Sequence, residues 1–128
     1  MRFLLDTHAL IWWWLEDPML SSRARTLIES GDEDILVSAI SAYEIALKVQ
    51  AGQLRSMIDT LEQFETATQE DRFVHLPLRY DHARLAGLLP GRHRDPFDRM
   101  IAAQGQIEGL TVITRDPQIA ALGCKVLW

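Results

Sequence analysis

Four acidic side chains, Asp6, Glu44, Asp98 and Asp116, lie far apart in the chain but at the same kind of place in its pattern. Asp6 ends the apolar run that begins at Arg2, and Asp116 follows the run 110–114. Glu44 is expected to open a helix just after the run 35–38, and Asp98 another after the loop 91–96. If the runs are parallel strands, these places fall at or near one sheet edge, outside the carboxyl ends, where open α/β folds bind ligands. Crowded carboxylates repel unless protons or cations neutralise them. Hard oxygen donors around an open site suit Mg²⁺ or Mn²⁺. The pattern points to a metal-dependent enzyme acting on a phosphorylated substrate.

Each acid also has a structural reading. Ser41-x-x-Glu44 fits a capping box, Asp98 sits in a first helical turn where the dipole favours a carboxylate, and Asp6 and Asp116 each precede a short helix they would cap. One such coincidence is ordinary, whereas four at one edge are not. Asp6 is the most telling, because it ends a buried strand where an unpaired charge is expensive. Asp95 is a fifth acid, three residues before Asp98 but followed by Pro96, and reads either as an auxiliary metal ligand or as a plain N-cap. Thr114, ending the strand that leads to Asp116, is a candidate hydroxyl beside the metal. His8 lies two residues beyond Asp6 and reads mainly as a helix-surface residue.

The four histidines have no zinc-ligand spacing, and no Gly-x-Ser-x-Gly or P-loop pattern occurs. The single Cys124 reads as a small core residue of a reducing compartment.

Strands expected at 2–6, 35–38, 73–76, 110–114 and 125–127 alternate with helices that must position these acids. Helices are expected over 8–15, from a Ser21 or Ser22 cap to about Ser30 with Gly31 as stop, and over 41–50, 57–68, 80–89, 96–107 and 117–122. Strand–helix alternation implies right-handed crossovers and a parallel sheet covered on both faces. The expected architecture is a three-layer α/β/α sandwich in a single domain, residues 1–128.

The longest apolar stretch, 9–15, is too short to cross a bilayer, so the expected location is cytoplasmic. The net charge of −5 argues against nucleic-acid binding only until the four site acids are set aside, which leaves −5 + 4 = −1. Arg92, Arg94, Arg99 and Arg115 surround Asp98 and Asp116 in sequence and read either as solvated surface or as phosphate contacts. Trp12, Trp13 and Trp14 span some 200° of one helix and cannot all face a single core. They suggest an exposed aromatic patch for a partner.

Four segments together resemble the PIN-domain ribonucleases, closest to the VapC-like toxins of type II toxin–antitoxin modules. They are Leu-Leu-Asp6-Thr-His-Ala-Leu-Ile-Trp, Ser-Ala-x-Ser-Ala-Tyr-Glu44-Ile-Ala-x-Lys, Asp95-Pro-Phe-Asp98-Arg-Met-Ile-Ala-Ala-Gln and Val-Ile-Thr114-Arg-Asp116. The resemblance implies that Asp6, Glu44, Asp98 and Asp116 bind Mg²⁺ or Mn²⁺ and support phosphodiester hydrolysis of RNA. It further implies a homodimer silenced by a small antitoxin. The competing reading is a non-catalytic, receiver-like Mg²⁺-binding module. It lacks support because Asp6 is followed by Thr-His rather than a second acid, and neither Lys48 nor Lys125 is correctly placed.

Overall fold

The computed structural model describes Met1–Trp128. Five short strands, β1 (Arg2–Leu5), β2 (Asp34–Ser38), β3 (Val74–Leu76), β4 (Thr111–Ile113) and β5 (Val126–Leu127), pair in parallel in the order β3-β2-β1-β4-β5. Around them run α1 (Thr7–Trp14), α2 (Ser22–Ser30), α3 (Ala39–Gln50), α4 (Ile58–Glu62), α5 (Phe64–Glu70), α6 (Tyr80–Leu88), α7 (Pro96–Glu108) and α8 (Pro117–Ala121).

The strands alternate their side chains between two cores, as a period of two requires. Phe3, Leu5, Ile35, Val37 and Ile113 join Ala9, Leu10 and Ile28 from α1 and α2 on one face. Leu4, Leu36, Leu76 and Val112 meet Ile101, Ala102 and Ile119 from α7 and α8 on the other. The expected three-layer sandwich is therefore present. No helix is long and apolar enough to cross a membrane.

The strand order places the switch point between β1 and β4, because the chain leaves β1 toward β2 and β3 and later returns to the other side. Such a reversal opens a crevice beyond the strand ends. The backbone N–H of Asp6 donates to the Ile113 carbonyl at 3.1 Å, tying the exits of β1 and β4 together. On the far side, α7 is locked to β2 by a buried polar link in which the Ser38 hydroxyl donates to Gln104 Oε1 while Gln104 Nε2 donates to the Pro77 carbonyl. Gly105 lets α7 approach β4 closely, since a Cβ there would stand 2.9 Å from Val112 Cγ2.

Three expectations are corrected. The helix after β2 starts at Ala39 with Ser38 as its N-cap, so Glu44 is its sixth residue and does not open it. Ser41 is internal and makes no cap; its hydroxyl instead bonds that of Thr7 at 2.9 Å. The helix expected over 57–68 is broken at Gln63 (φ −107°, ψ 31°) into α4 and α5 after a 3₁₀ turn at Arg55–Met57. The break lets Phe64 meet the Trp14 ring edge-on at 5.3 Å, a tertiary contact that overrides local helical pattern.

Candidate active site

Asp6 leaves β1 as the N-cap of α1, its Oδ1 accepting from the Ala9 N–H at 2.7 Å. It is 5% exposed, and burial pushes its carboxyl up to about 6. The Thr114 hydroxyl, the Ala9 N–H and the neighbouring His8 pull the other way, while the negative charge of Asp98 pushes further up. Thr114 also accepts from the Asp116 N–H at 3.0 Å. One hydroxyl thus links the acid after β1 to the acid after β4.

Asp98 stands in the first turn of α7, whose N-cap is Asp95 and whose first residue is Pro96. Burial raises its carboxyl above the ordinary range, and the charges of Asp95 and Asp116 add to this, against the hydrogen bond from His93. His93 Nε2 lies 2.7 Å from Asp98 Oδ2. Ligand atoms of His93, Asp98 and Asp116 all fall within 4.8 Å of one another. Asp116 meanwhile caps α8 through the Gln118 N–H at 2.9 Å.

The expected quartet is thus brought together only in part. Asp6, Asp98 and Asp116 feel one another's charge, directly or through Asp98. Glu44 is buried at 4% exposed and is paired across one helical turn with Lys48, whose Nζ lies 2.9 Å from its Oε2. Its nearest tie to the site is the Ser41–Thr7 bond, one turn earlier on α3 and one residue past Asp6. Asp95 is occupied as a cap, Oδ1 accepting from the Phe97 and Asp98 N–H groups at 2.9 and 3.2 Å.

Sequence reasoning missed His93, because only the fold of loop 89–95 turns it back onto Asp98. It also misread Arg99, which is neither a solvated arginine nor a free phosphate contact. Its guanidinium donates to the carbonyls of Ala86, Leu89 and His93 and so fixes that loop. Arg92 and Arg94 remain exposed on the loop beside His93, and Arg115 is exposed next to Asp116. The three tryptophans form no exposed patch. All are half-buried against the first core, and the indole N–H groups of Trp13 and Trp14 both donate to Asp71 Oδ2, at 3.0 and 2.8 Å.

The donor set fits a hard divalent cation. Carboxylates held near one another with raised proton affinity hold unneutralised charge at neutral pH, which a cation relieves. His93 adds one nitrogen, compatible with Mn²⁺ as well as Mg²⁺.

The family model that matches is the PIN domain, over residues 3–123. Ribonuclease VapC22 of Mycobacterium tuberculosis is 30% identical over 118 residues, covering 91% of this chain and 88% of the relative. Among solved structures, FitAcB from Neisseria gonorrhoeae superposes with a TM-score of 0.69 at 25% identity, covering 98% of this chain and 96% of that one. VapBC2 from Rickettsia felis, solved bound to a DNA fragment from its promoter, gives a TM-score of 0.73 at 15% identity over 99% of this chain and 98% of that one, a likeness of fold. The chain belongs to the PIN-domain family and, within it, sits with the VapC-like ribonucleases.

Proposed function

We propose that this PIN domain is a divalent-metal-dependent endoribonuclease and the toxin of a type II toxin–antitoxin pair, with Asp6, Glu44, Asp98 and Asp116 as its catalytic acids. The observation that carries the reading is the convergence of Asp98 and Asp116, with His93, at the β1/β4 switch point beside the buried Asp6. Asp98 and Asp116 would hold Mg²⁺ or Mn²⁺, Asp6 would join them from the end of β1, and Asp95 would serve as a cap that orients the first turn of α7.

A divalent cation held by these acids would supply Lewis-acid stabilisation of the scissile phosphate and would make water a better nucleophile. The protein's own part is to hold that phosphate in line. Water adds its oxygen to phosphorus, the backbone P–O bond breaks, and one proton passes from the water toward a carboxylate while another reaches the leaving oxygen. Glu44, whose buried charge is balanced by Lys48 one helical turn away, would orient water from the α3 side. Arg92, Arg94 and Arg115 offer exposed positive charge flanking the acids, which suits a polyanion despite the net charge of −5.

VapC22 is named a ribonuclease, and the Rickettsia felis VapBC2 structure was solved with a promoter DNA fragment. That likeness supports a small cognate antitoxin that silences this chain; a homodimeric toxin working in the cytoplasm is part of the same proposal. The alternative of a receiver-like module is disfavoured by the family match over residues 3–123. Controlled expression in a host lacking a cognate antitoxin is expected to arrest growth, and co-expression of a cognate antitoxin is expected to restore it. Unimpaired growth at verified protein levels refutes the toxin role.

A further inference from the structure

A cleft of about 310 Å³ opens directly beside the acids, lined by Asp6, His8, Trp12, Arg115, Asp116 and Pro117. Its two carboxylates belong to the hydrolytic site, but its other wall has no part in holding a cation. The Trp12 ring meets His8 at 5.7 Å and 45° and is braced edge-on by Trp128 at 5.8 Å, so its orientation is set by neighbours on two sides. The Arg115 guanidinium carbon lies 5.5 Å from the Trp12 centroid. Arg115 is exposed, and its only other polar contact is a weak one to Met19 Sδ at 3.7 Å. The guanidinium is therefore a lid on the ring that can swing without breaking a strong bond. Trp12 is also the one of the three consecutive tryptophans whose indole N–H is not engaged by Asp71.

We infer that this cleft is a nucleobase subsite, in which the base flanking the scissile phosphate stacks on Trp12 under the Arg115 guanidinium. The inference rests on the nuclease reading above and gives that site a specificity element. A volume of about 310 Å³ stands at the lower end of small-molecule pockets, roughly 300–1,000 Å³, and so admits one nucleotide rather than a folded RNA. Every base has a π-face, and aromatic platforms with an arginine cover are how proteins grip single-stranded nucleic acid. The carboxylates at the open end repel a bare phosphate, so binding there would draw on a divalent cation as well as on the base. An antitoxin side chain entering the same cleft is the competing occupant. The exposed Arg115 guanidinium over the Trp12 ring favours the base, because it offers a cationic cover to a stacked π-system.

The test is calorimetric titration of the intact protein, in Mg²⁺, with the four ribonucleoside 5′-monophosphates and with ribose 5-phosphate. Nucleotides are expected to bind on the order of ten-fold more tightly than ribose 5-phosphate, the weight of one base–aromatic stack. Trp12→Leu is expected to erase that difference and Trp12→Phe to keep most of it. Arg115→Ala, at an exposed position that leaves packing intact, is expected to reduce it even if Trp12→Leu folds poorly. Equal affinity for ribose 5-phosphate and the nucleotides overturns the subsite. So does a Trp12→Leu variant that loses antitoxin affinity while binding nucleotides like the wild type. The titration reads binding and needs no cleavage, so an inactive protein with base-dependent affinity refutes the nuclease reading while the subsite stands.

Discussion

His93 Nε2 lies 2.7 Å from Asp98 Oδ2, and both reach within 4.8 Å of an Asp116 carboxylate oxygen. An imidazole nitrogen thus shares the acidic centre, held there by a loop that Arg99 ties down through three carbonyls. The first consequence concerns metal preference. Nitrogen donors favour Mn²⁺ over Mg²⁺. His93→Ala is expected to lower Mn²⁺ affinity roughly ten-fold, the scale of losing a supporting ligand, with a much smaller loss for Mg²⁺. Calorimetric titration of each ion decides it, and equal losses contradict a ligand role.

Asp6 makes the metal-free protein sensitive to pH. Its carboxyl is raised from 3.8 to about 6, so the folded state binds this proton more tightly than the unfolded chain. The stability it contributes is whole below about pH 4 and is lost as pH rises through about 6. A displacement of about 2 pH units corresponds to about 3 kcal/mol at most, and Asp98, raised by burial, acts in the same direction. Asp6→Asn keeps the cap to Ala9, since Asn caps as well as Asp, and removes the charge. Thermal unfolding in chelator at pH 7 is expected to show Asp6→Asn more stable than wild type, with the gap closing near pH 4. A variant no more stable at pH 7 contradicts the burial argument.

Asp95 separates from Asp98 by role. It accepts from two N–H groups at the start of α7, so Asp95→Ala is expected to cost about 1 kcal/mol of stability and to reduce activity only moderately. Asp98→Ala is expected to abolish activity without a comparable stability loss. Denaturant midpoints and cleavage rates measured on the same preparations distinguish the two, and complete inactivity of a fully folded Asp95→Ala shows that Asp95 is itself a ligand.

The Ser21 and Gly31 ends of α2 and the Pro96 start of α7 are legible in the sequence because caps and breakers act within a turn, whereas the Gly109 cap of α7 emerges only in the fold. The start of α3 was not legible either, since Ser38 and Ser41 are both good caps. The choice falls to Ser38 because β2 ends there and its hydroxyl also meets Gln104, sixty-six residues away. Asp6, Asp98 and Asp116 were legible from their places after strands and at a helix start. His93, the Lys48 partner of Glu44 and the anchoring by Arg99 depend on how a loop and a helix face pack, which spacing alone does not encode.

Asp71 clamps the first helix by a single oxygen that accepts from both Trp13 and Trp14. Asp71→Ala leaves two half-buried indole donors unmatched and is expected to destabilise the fold by about 2 kcal/mol. Asp71→Asn retains an acceptor and is expected to cost less. Urea midpoints for the pair test this, and equal midpoints for Asp71→Ala and wild type contradict the clamp.

The most direct measurement of the central claim is cleavage of a defined RNA by purified protein, with Mg²⁺ or Mn²⁺ against excess chelator, for wild type and for Asp6→Asn, Glu44→Gln, Asp98→Asn and Asp116→Asn. Wild type is expected to cut at discrete sites only when a divalent ion is present, and each variant is expected to fall by at least the 10²–10³-fold that losing one electrostatic element of a site costs. Cleavage that persists in chelator, or that Asp98→Asn retains undiminished, contradicts the metal-dependent nuclease assignment.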